Sequence, residues 1–432
     1  MRKLLVKIVP ILILLITISS VNAWTDLIIG NTTIWWIIYA LILLIFVKSK
    51  KYFLHKENRK YLYVLFGYLA WNIICIFRGL FVAENYWEWK NLVSTSLVLL
   101  MPLTIYVATN KLIVQRIVLI WLKYALPAFF IFYLFIWTEA IGRYLVPISF
   151  LFLFFPIIEN KWKLVLCFFT LLVLFSDLGA RSNVIKFAVP IIFAGIYYIR
   201  VFVSVKMMEI GRLLLLLVPI ILFGLGISGI FNVFKMDDYI QGEYTNETQF
   251  EGEQVTESLT ADTRTFLYVE VLESAIRHNY ILFGRTPARG NDSESFGSYL
   301  ADELKTGKME RPSNEVSILN VFTWTGVIGV ILYFLVFYKA SYLAVNKSQN
   351  IFIKIIGLYI TFRWSYAWVE DFSQFDLSNT FLWISIGMCF SKSFRSMSDK
   401  EFIIWVKGIF DRRYRKLEFY ILKKRKEWLI KK

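Results

Sequence analysis

"MRKLLVKIVPILILLITISSVNAW" (residues 1–24) opens the chain, and its reading sets the direction of everything that follows. A basic start leads into an apolar run, and Val21 and Ala23 fit the pattern of a signal-cleavage site. The next apolar run, 34–47, begins only a few residues later. This favours an uncleaved first helix whose basic end stays in the cytoplasm.

Outward from that helix, apolar runs recur to the end of the 432 residues. Hydrophobic residues make up 57% of the chain and charged residues 19%, with a mean hydropathy of +0.57. Soluble domains carry roughly 25% charged residues, so the deficit points to an all-α integral membrane protein. Spans of roughly 20 residues cross a hydrocarbon core. On that scale the runs near 5–23, 33–47, 61–78, 92–108, 117–138, 145–158, 164–176, 184–200, 213–231, 316–338, 353–369 and 378–391 give about twelve transmembrane helices. The chain divides accordingly into helices 1–9 (1–231), a large loop with short helices (232–315), helices 10–12 (316–391) and a basic tail (392–432).

Charge tests the count. Segments 48–60, 110–116 and 160–163, and the surroundings of Lys206 and Arg212, are basic and fall on the cytoplasmic side. Segment 232–315 falls on the other side and carries twice as many acidic as basic residues. This alternation is what the positive-inside rule expects, with both termini cytoplasmic. It also accounts for the net charge of +16, because no basic folded module for nucleic acid is visible. In the tail, Phe402, Val406, Ile409, Phe410 and Leu417 recur at helical spacing among basic residues, as in a helix lying on anionic membrane lipids.

Cys75, Cys167 and Cys389 all lie in apolar runs without metal-ligand spacing, and read as packing residues. With His55 and His278 the only histidines, no histidine-rich metal site is expected. "GLGISG" (224–229) lacks the strand that a dinucleotide fingerprint requires, and its small residues read as a close helix contact.

Two stretches carry the chemistry. "FSDLGARSNVIKFAV" (175–189) places Arg181 beside the start of an inward-running helix that Ser182 or Asn183 would cap. A helix N-terminus with an adjoining arginine suits phosphate; an interfacial arginine reaching lipid headgroups fits the residues equally. "DTRTFLYVEVLESAIRHNYILFGRTPARG" (262–290) predicts an amphipathic helix over 263–278 with Phe266, Val269, Leu272 and Ile276 on one face. Arg264 lies near its start, and Arg285 and Arg289 in a following turn. "RPSNEVSILNVFTWTGVIGVILYFLVF" (311–337) opens another inward helix at Ser313 or Asn314.

A short arginine loop, a long loop with an early arginine, a glycine–arginine turn and the asparagine-led helix entry resemble the O-antigen polymerase and O-antigen ligase superfamily. The resemblance covers roughly 60–390, and the order of the loose motifs carries it. It implies a membrane glycosyltransferase that polymerises undecaprenyl-diphosphate-linked oligosaccharide repeat units of a surface polysaccharide. It implies, further, a chain-length regulator as partner and a bacterial cytoplasmic membrane as location. Arg181 and Arg264 match the family's loop arginines. Asn314 matches the asparagine of the ligases' His–Asn pair, but Ser313 stands where their histidine would be, which favours a polymerase over a ligase. His278–Asn279 has that pair's letters at another place.

The chemistry asks little more of the chain. Guanidinium groups can stabilise a departing diphosphate with no cofactor and no metal. Glu315 is the first candidate for a base on the acceptor hydroxyl, although a carboxylate at a helix N-terminus is favourable in any case; Asp177, Asp262 and Asp292 follow. Trp87 and Trp89 in "NYWEWK" (85–90) suit stacking on sugar rings, and equally an interfacial belt. Lys123 and Arg363 fall inside spans, where Arg363 would pair with Glu370 or Asp371 or reach the interface. A transporter or flippase is the competing class, but no repeated halves are seen. A sensor would need a cytoplasmic signalling domain.

Overall fold

The computed structural model describes residues 1–27, 29–176, 181–235, 238–239, 245–250, 253–258, 262–304 and 307–417. For Glu139, Arg181, Leu304 and the strands within 245–258 only the backbone is described. The helices are α1 (Arg2–Val21), α2 (Thr32–Phe53), α3 (Tyr63–Leu80), α4 (Tyr86–Leu99), α5 (Lys111–Ile120), α6 (Leu126–Phe132), α7 (Thr138–Tyr144) and α8 (Val146–Phe152). They continue as α9 (Asn160–Ser176), α10 (Arg181–Gly195), α11 (Val205–Ile227), α12 (Thr265–Arg277) and α13 (Gly297–Leu304). The last four are α14 (Ser317–Asn346), α15 (Ile351–Tyr366), α16 (Leu377–Phe390) and α17 (Asp399–Phe410).

Polar residues just ahead of apolar runs start many of these helices. Asn31, Asn85, Asn110, Ser204, Asn350 and Asp376 each accept a first-turn N–H. In an apolar setting an unpaired N–H is costly, so such caps matter. Among the described residues seven helices are long and apolar enough to cross a membrane. They are Arg2–Trp24, Thr32–Phe53, Tyr63–Leu80, Tyr86–Ala108, Lys111–Phe132, Val205–Ile227 and Ser317–Asn346. The fifth runs through a π-helical turn at Trp121–Ala125 that holds Lys123.

The remaining runs are shorter for visible reasons. Segment 145–158 does not form one helix: α8 ends at Phe152 and a 3₁₀ turn follows at Phe155–Ile157, with Pro147 and Pro156 at the two starts. Every residue of α16 is buried. Its hydrophobicity therefore reflects the protein core. In α11 most of the surface is open, with Met207, Ile210, Leu214 and Ile221 exposed.

Several boundaries move. Helix α5 takes in most of 110–116, so Arg116 is helical and donates to the Val6 carbonyl at 3.2 Å. Arg212 lies two turns inside α11 and is fully buried. It binds Glu209 at 2.5 Å and reaches Ser341 of α14 at 3.2 Å, so it ties two helices together instead of marking a loop. Arg363 pairs with neither Glu370 nor Asp371. It donates to Tyr359 and Ser378 and stacks over Phe372, because α15 buries it inside the bundle. Gly224 and Gly229 meet no atom within 4 Å where a Cβ would stand, so no close helix contact forms there.

The tail also departs from expectation. Phe402, Trp405, Val406 and Ile409 of α17 are fully buried. Gln115 of α5 donates to the Trp405 carbonyl at 2.8 Å, and Trp405 Nε1 to the Lys111 carbonyl at 3.0 Å. Phe402, Val406 and Ile409 of the stripe face protein, because α5 offers a matching apolar surface and partners for polar atoms, while Leu417 is exposed. Residues 418–432 lie outside the described part.

The chain segment between α11 and α14 contributes two antiparallel pairs. Strand β1 (Thr245–Phe250) pairs with β2 (Glu253–Ser258). Strand β3 (Asn291–Asp292) pairs with β4 (Glu310–Arg311) in the register Asn291↔Arg311 and Asp292↔Glu310. This segment is keyed into α14 at the break in that helix. Gly326 breaks α14 with φ 68°. The Ile281 carbonyl accepts Val327 N–H at 2.9 Å, and Arg285 N–H donates to Thr323 at 2.7 Å. Gly284, also at positive φ, abuts Gly326 so closely that a Cβ would stand 2.5 Å from its nitrogen. Only glycine fits both demands.

Candidate functional site

The connection 366–376 between α15 and α16 organises the end of the bundle that carries the long segment. Helix α14 has no side-chain cap. Its first N–H groups instead reach this connection, Ile318 to the Ala367 carbonyl at 2.9 Å and Ser317 to that of Glu370 at 3.3 Å. Ser313 and Asn314 therefore do not open the helix. Ser313 is exposed. Asn314 is buried, donates from Nδ2 to Asn291 at 2.9 Å and from its N–H to Asn320 Oδ1 at 2.6 Å.

Both arginine stretches arrive at the same connection. Asp262 accepts the N–H groups of Arg264 and Thr265 and so starts α12. Those bonds outweigh burial and hold its carboxyl below the usual range. The Arg264 side chain meets Glu315 at 2.5 Å and the Val369 carbonyl at 3.4 Å. Glu315, half exposed, also accepts from Arg311 at 3.1 Å, and Arg311 stacks on Phe296 at 4.4 Å. Arg181 is the first described residue of α10, so Ser182 and Asn183 lie within the helix. The Ser182 carbonyl accepts the Tyr366 hydroxyl at 3.3 Å. One turn on, Lys186 approaches Glu370 at 3.6 Å and donates to Ser182 Oγ at 3.1 Å. The first turn of α10 and the start of α12 thus converge on residues 366–370. The Arg181 side chain and Asp177 lie outside the described part.

An apolar cleft of about 340 Å³ leads into this place. Its walls include Ile185 of α10, Leu222 and Gly226 of α11, Val269 and Leu272 of α12, and Phe362 of α15. Thr265, Tyr366 and Val369, which adjoin the Arg264 contacts, close one end of it. The expected apolar face of α12 is affected. Leu267, Tyr268, Val271 and Ala275 are buried, whereas Val269 and Ile276 are exposed. The helix is apolar on two sides, and of the face predicted to pack Val269 and Leu272 line the cleft while Phe266 meets Phe296.

Arg285 and Arg289 belong to a second, closed group. Arg285 pairs with Asp292 and Glu310 at 3.0 Å each. Arg289 grips Glu310 through Nε at 2.8 Å and through Nη2, and approaches Glu88 of α4 at 3.6 Å. These partners raise its pKa further. Lys308 binds Glu84 at 2.8 Å and Glu88 at 2.5 Å. His278 Nε2 lies 2.7 Å from Asp292. Burial opposes the charge on Asp292, but the His278 bond and the Arg285 guanidinium hold its carboxyl below the usual range. Trp87 lines a separate polar cavity beside this group, while Trp89 is exposed and does not line it.

Sequence reasoning missed Lys186, Glu370 as its partner, and Arg311. Lys186 carried a signal, since it falls inside the apolar run 184–200. Arg311 carried none.

Comparison with known protein families, characterised proteins and solved structures returns no match. The fold and site define a helical, membrane-embedded class of protein, with an apolar cleft whose lining residue Val369 accepts from Arg264 through its carbonyl.

Proposed function

We propose that the chain is a membrane glycosyltransferase that polymerises undecaprenyl-diphosphate-linked repeat units of a surface polysaccharide at the bacterial cytoplasmic membrane. In this reading about twelve segments cross or enter the bilayer, both termini are cytoplasmic, and 232–315 lies outside. The observation that carries it is the apolar cleft ending where Arg264 and the first turn of α10 meet residues 366–370. A ligand that fits both ends has a long hydrocarbon tail and an anionic head.

The chemistry follows from the residues. The acceptor hydroxyl attacks the anomeric carbon of the donor sugar. The bond from that carbon to the diphosphate oxygen breaks, and its electron pair leaves with the lipid diphosphate. Arg264 and Arg181 stabilise that developing charge. The acceptor proton passes to a carboxylate. Glu315 has both oxygens engaged by guanidiniums, which suits it to aligning Arg264 and Arg311. Glu370, facing only Lys186 among the ion pairs described, suits the proton. Arg285, Arg289 and Asn314 act as positioning residues for the segment that bears these groups, and Ser313 lies exposed beside Glu315 for a sugar hydroxyl.

Deleting the gene and analysing the lipid-linked glycan tests this. Single repeat units on the carrier are expected. Long polymer left on the carrier would mean ligase activity, and unchanged surface glycan would overturn both readings.

A further inference from the structure

The polar cavity beside α4 is unused by the reaction just described. It measures about 280 Å³, near the lower end of the roughly 300–1,000 Å³ common for ligand pockets. Trp87, Asn91 and Ser94 share one helical face at i, i+4 and i+7, and all three line it. Opposite stand Gly290, Glu310 and Pro312. Gly290 brings the backbone close: a Cβ there would clash with the Arg311 carbonyl.

The chemistry of these walls selects a ligand. Glu88 and Glu310 are already neutralised by Arg289, Lys308 and Arg285, and the remaining lining cation, Lys90, lies over the Trp87 ring, so the cavity offers a diphosphate one ammonium and no guanidinium fork. The Trp87 ring is half-buried, with the Lys90 ammonium 4.5 Å from its centroid. Asn91 Oδ1 accepts from Thr95 at 3.3 Å, while its Nδ2 has no partner among the described residues. Ser94 Oγ accepts from Trp36 at 2.8 Å and keeps its proton to donate. One aromatic ring flanked by uncommitted amide and hydroxyl donors, with paired carboxylates as acceptors, matches a neutral sugar ring. Such a ring has an apolar face and a rim of hydroxyls.

Position completes the argument. Glu310 and Arg311 are successive residues of β4, and successive strand residues point to opposite faces. Glu310 borders the cavity; Arg311 binds Glu315, which binds Arg264. We infer that this cavity is a saccharide subsite, taking a neutral pyranose one strand's width from the arginine cluster. It holds the repeat unit at a sugar other than the one that reacts. The inference deepens the glycosyltransferase reading and rests on it for the identity of the glycan.

The test uses full-length protein in lipid nanodiscs and saturation-transfer NMR. The probe is the set of oligosaccharides released by mild acid from the producing cells' own surface polysaccharide. Wild type should transfer saturation to sugar protons. Trp87→Ala should lower the signal at least fivefold and Asn91→Ala severalfold, while Trp87→Phe keeps most of it and Arg264→Ala leaves it unchanged. No transfer to wild type, an undiminished signal in Trp87→Ala, or equal loss in Trp87→Phe and Trp87→Ala would each overturn the subsite. Unchanged surface glycan in cells lacking the gene would instead remove the polymerase reading, with the NMR result still deciding the cavity.

Discussion

The two arginine groups at the loop-bearing end of the bundle look alike in sequence and differ in their environment. Around Arg289, the carboxylates of Glu88 and Glu310 are 8% and 13% exposed, and several cations hold them. Around Arg264, the partner Glu315 is 50% exposed, and the Val369 carbonyl that Arg264 also meets belongs to a residue lining the apolar cleft. A guanidinium held among buried acids supports the fold. One that shares an exposed acid can exchange it for an anionic ligand. The count of arginines in a loop says little until their partners are known.

The largest expected effect tests the closed group. Arg289→Ala leaves Glu310 and Glu88 short of charge in a mostly dry place, and breaking such a pair costs about 3–5 kcal/mol. Thermal unfolding of the purified protein should show a large drop. Wild-type stability together with lost glycan would mean that Arg289 binds substrate, and the contrast would collapse.

Next comes the open group. Arg264→Ala and Arg181→Ala should each cut polymer formation roughly a hundredfold or more with unfolding temperature nearly unchanged. Arg181→Lys should also be impaired, since lysine lacks the planar fork. Polymer length is compared at matched protein levels, with Arg412→Ala as surface control. Full-length polymer from Arg181→Ala would leave that arginine as a membrane anchor.

A smaller effect concerns the joint between the loop segment and α14. At Gly326 a Cβ would meet the Leu282 carbonyl at 2.3 Å on a backbone with φ 68°. Gly326→Ala should therefore cost more than about 1 kcal/mol. It should also loosen 281–285, seen as faster amide exchange there. Unchanged exchange would show that the loop does not depend on this contact.

The smallest effect is one of pH. The Asp292 carboxyl lies below its unfolded value of about 3.9, so its contribution is fully present above that value. It is lost as pH falls through the lower folded value. Its quarter exposure and solvent screening keep the effect modest. Amide exchange near 285–292, taken relative to the intrinsic rate at each pH, should quicken at pH 3 relative to pH 6, and Asp292→Asn should remove that difference. The same acceleration in Asp292→Asn would assign it to another group.

Some expectations needed no fold. The recurrence of apolar runs and the acidic 232–315 segment could be read directly, because composition is a local property. Where a run was read from hydropathy alone, burial in protein looks like burial in lipid. Segment 145–158 breaks after Phe152 and every residue of 377–390 is buried, so hydropathy does not separate core helices from spans there. The tail residues Phe402, Val406 and Ile409 are buried likewise.

The arginines divide along that line. Their presence near helix starts, and the residue types that suit phosphate, were determined by the sequence itself. Which of them are spent on carboxylates was decided only by tertiary structure, because Arg289 meets Glu88 across 201 positions of chain and Arg264 meets Val369 across 105. Pairings at that separation depend on how the helices pack. The same packing sets the cleft, where α12 turns Val269 outward against α11, and it brings Gly284 against Gly326, a contact that neither glycine's neighbours could announce.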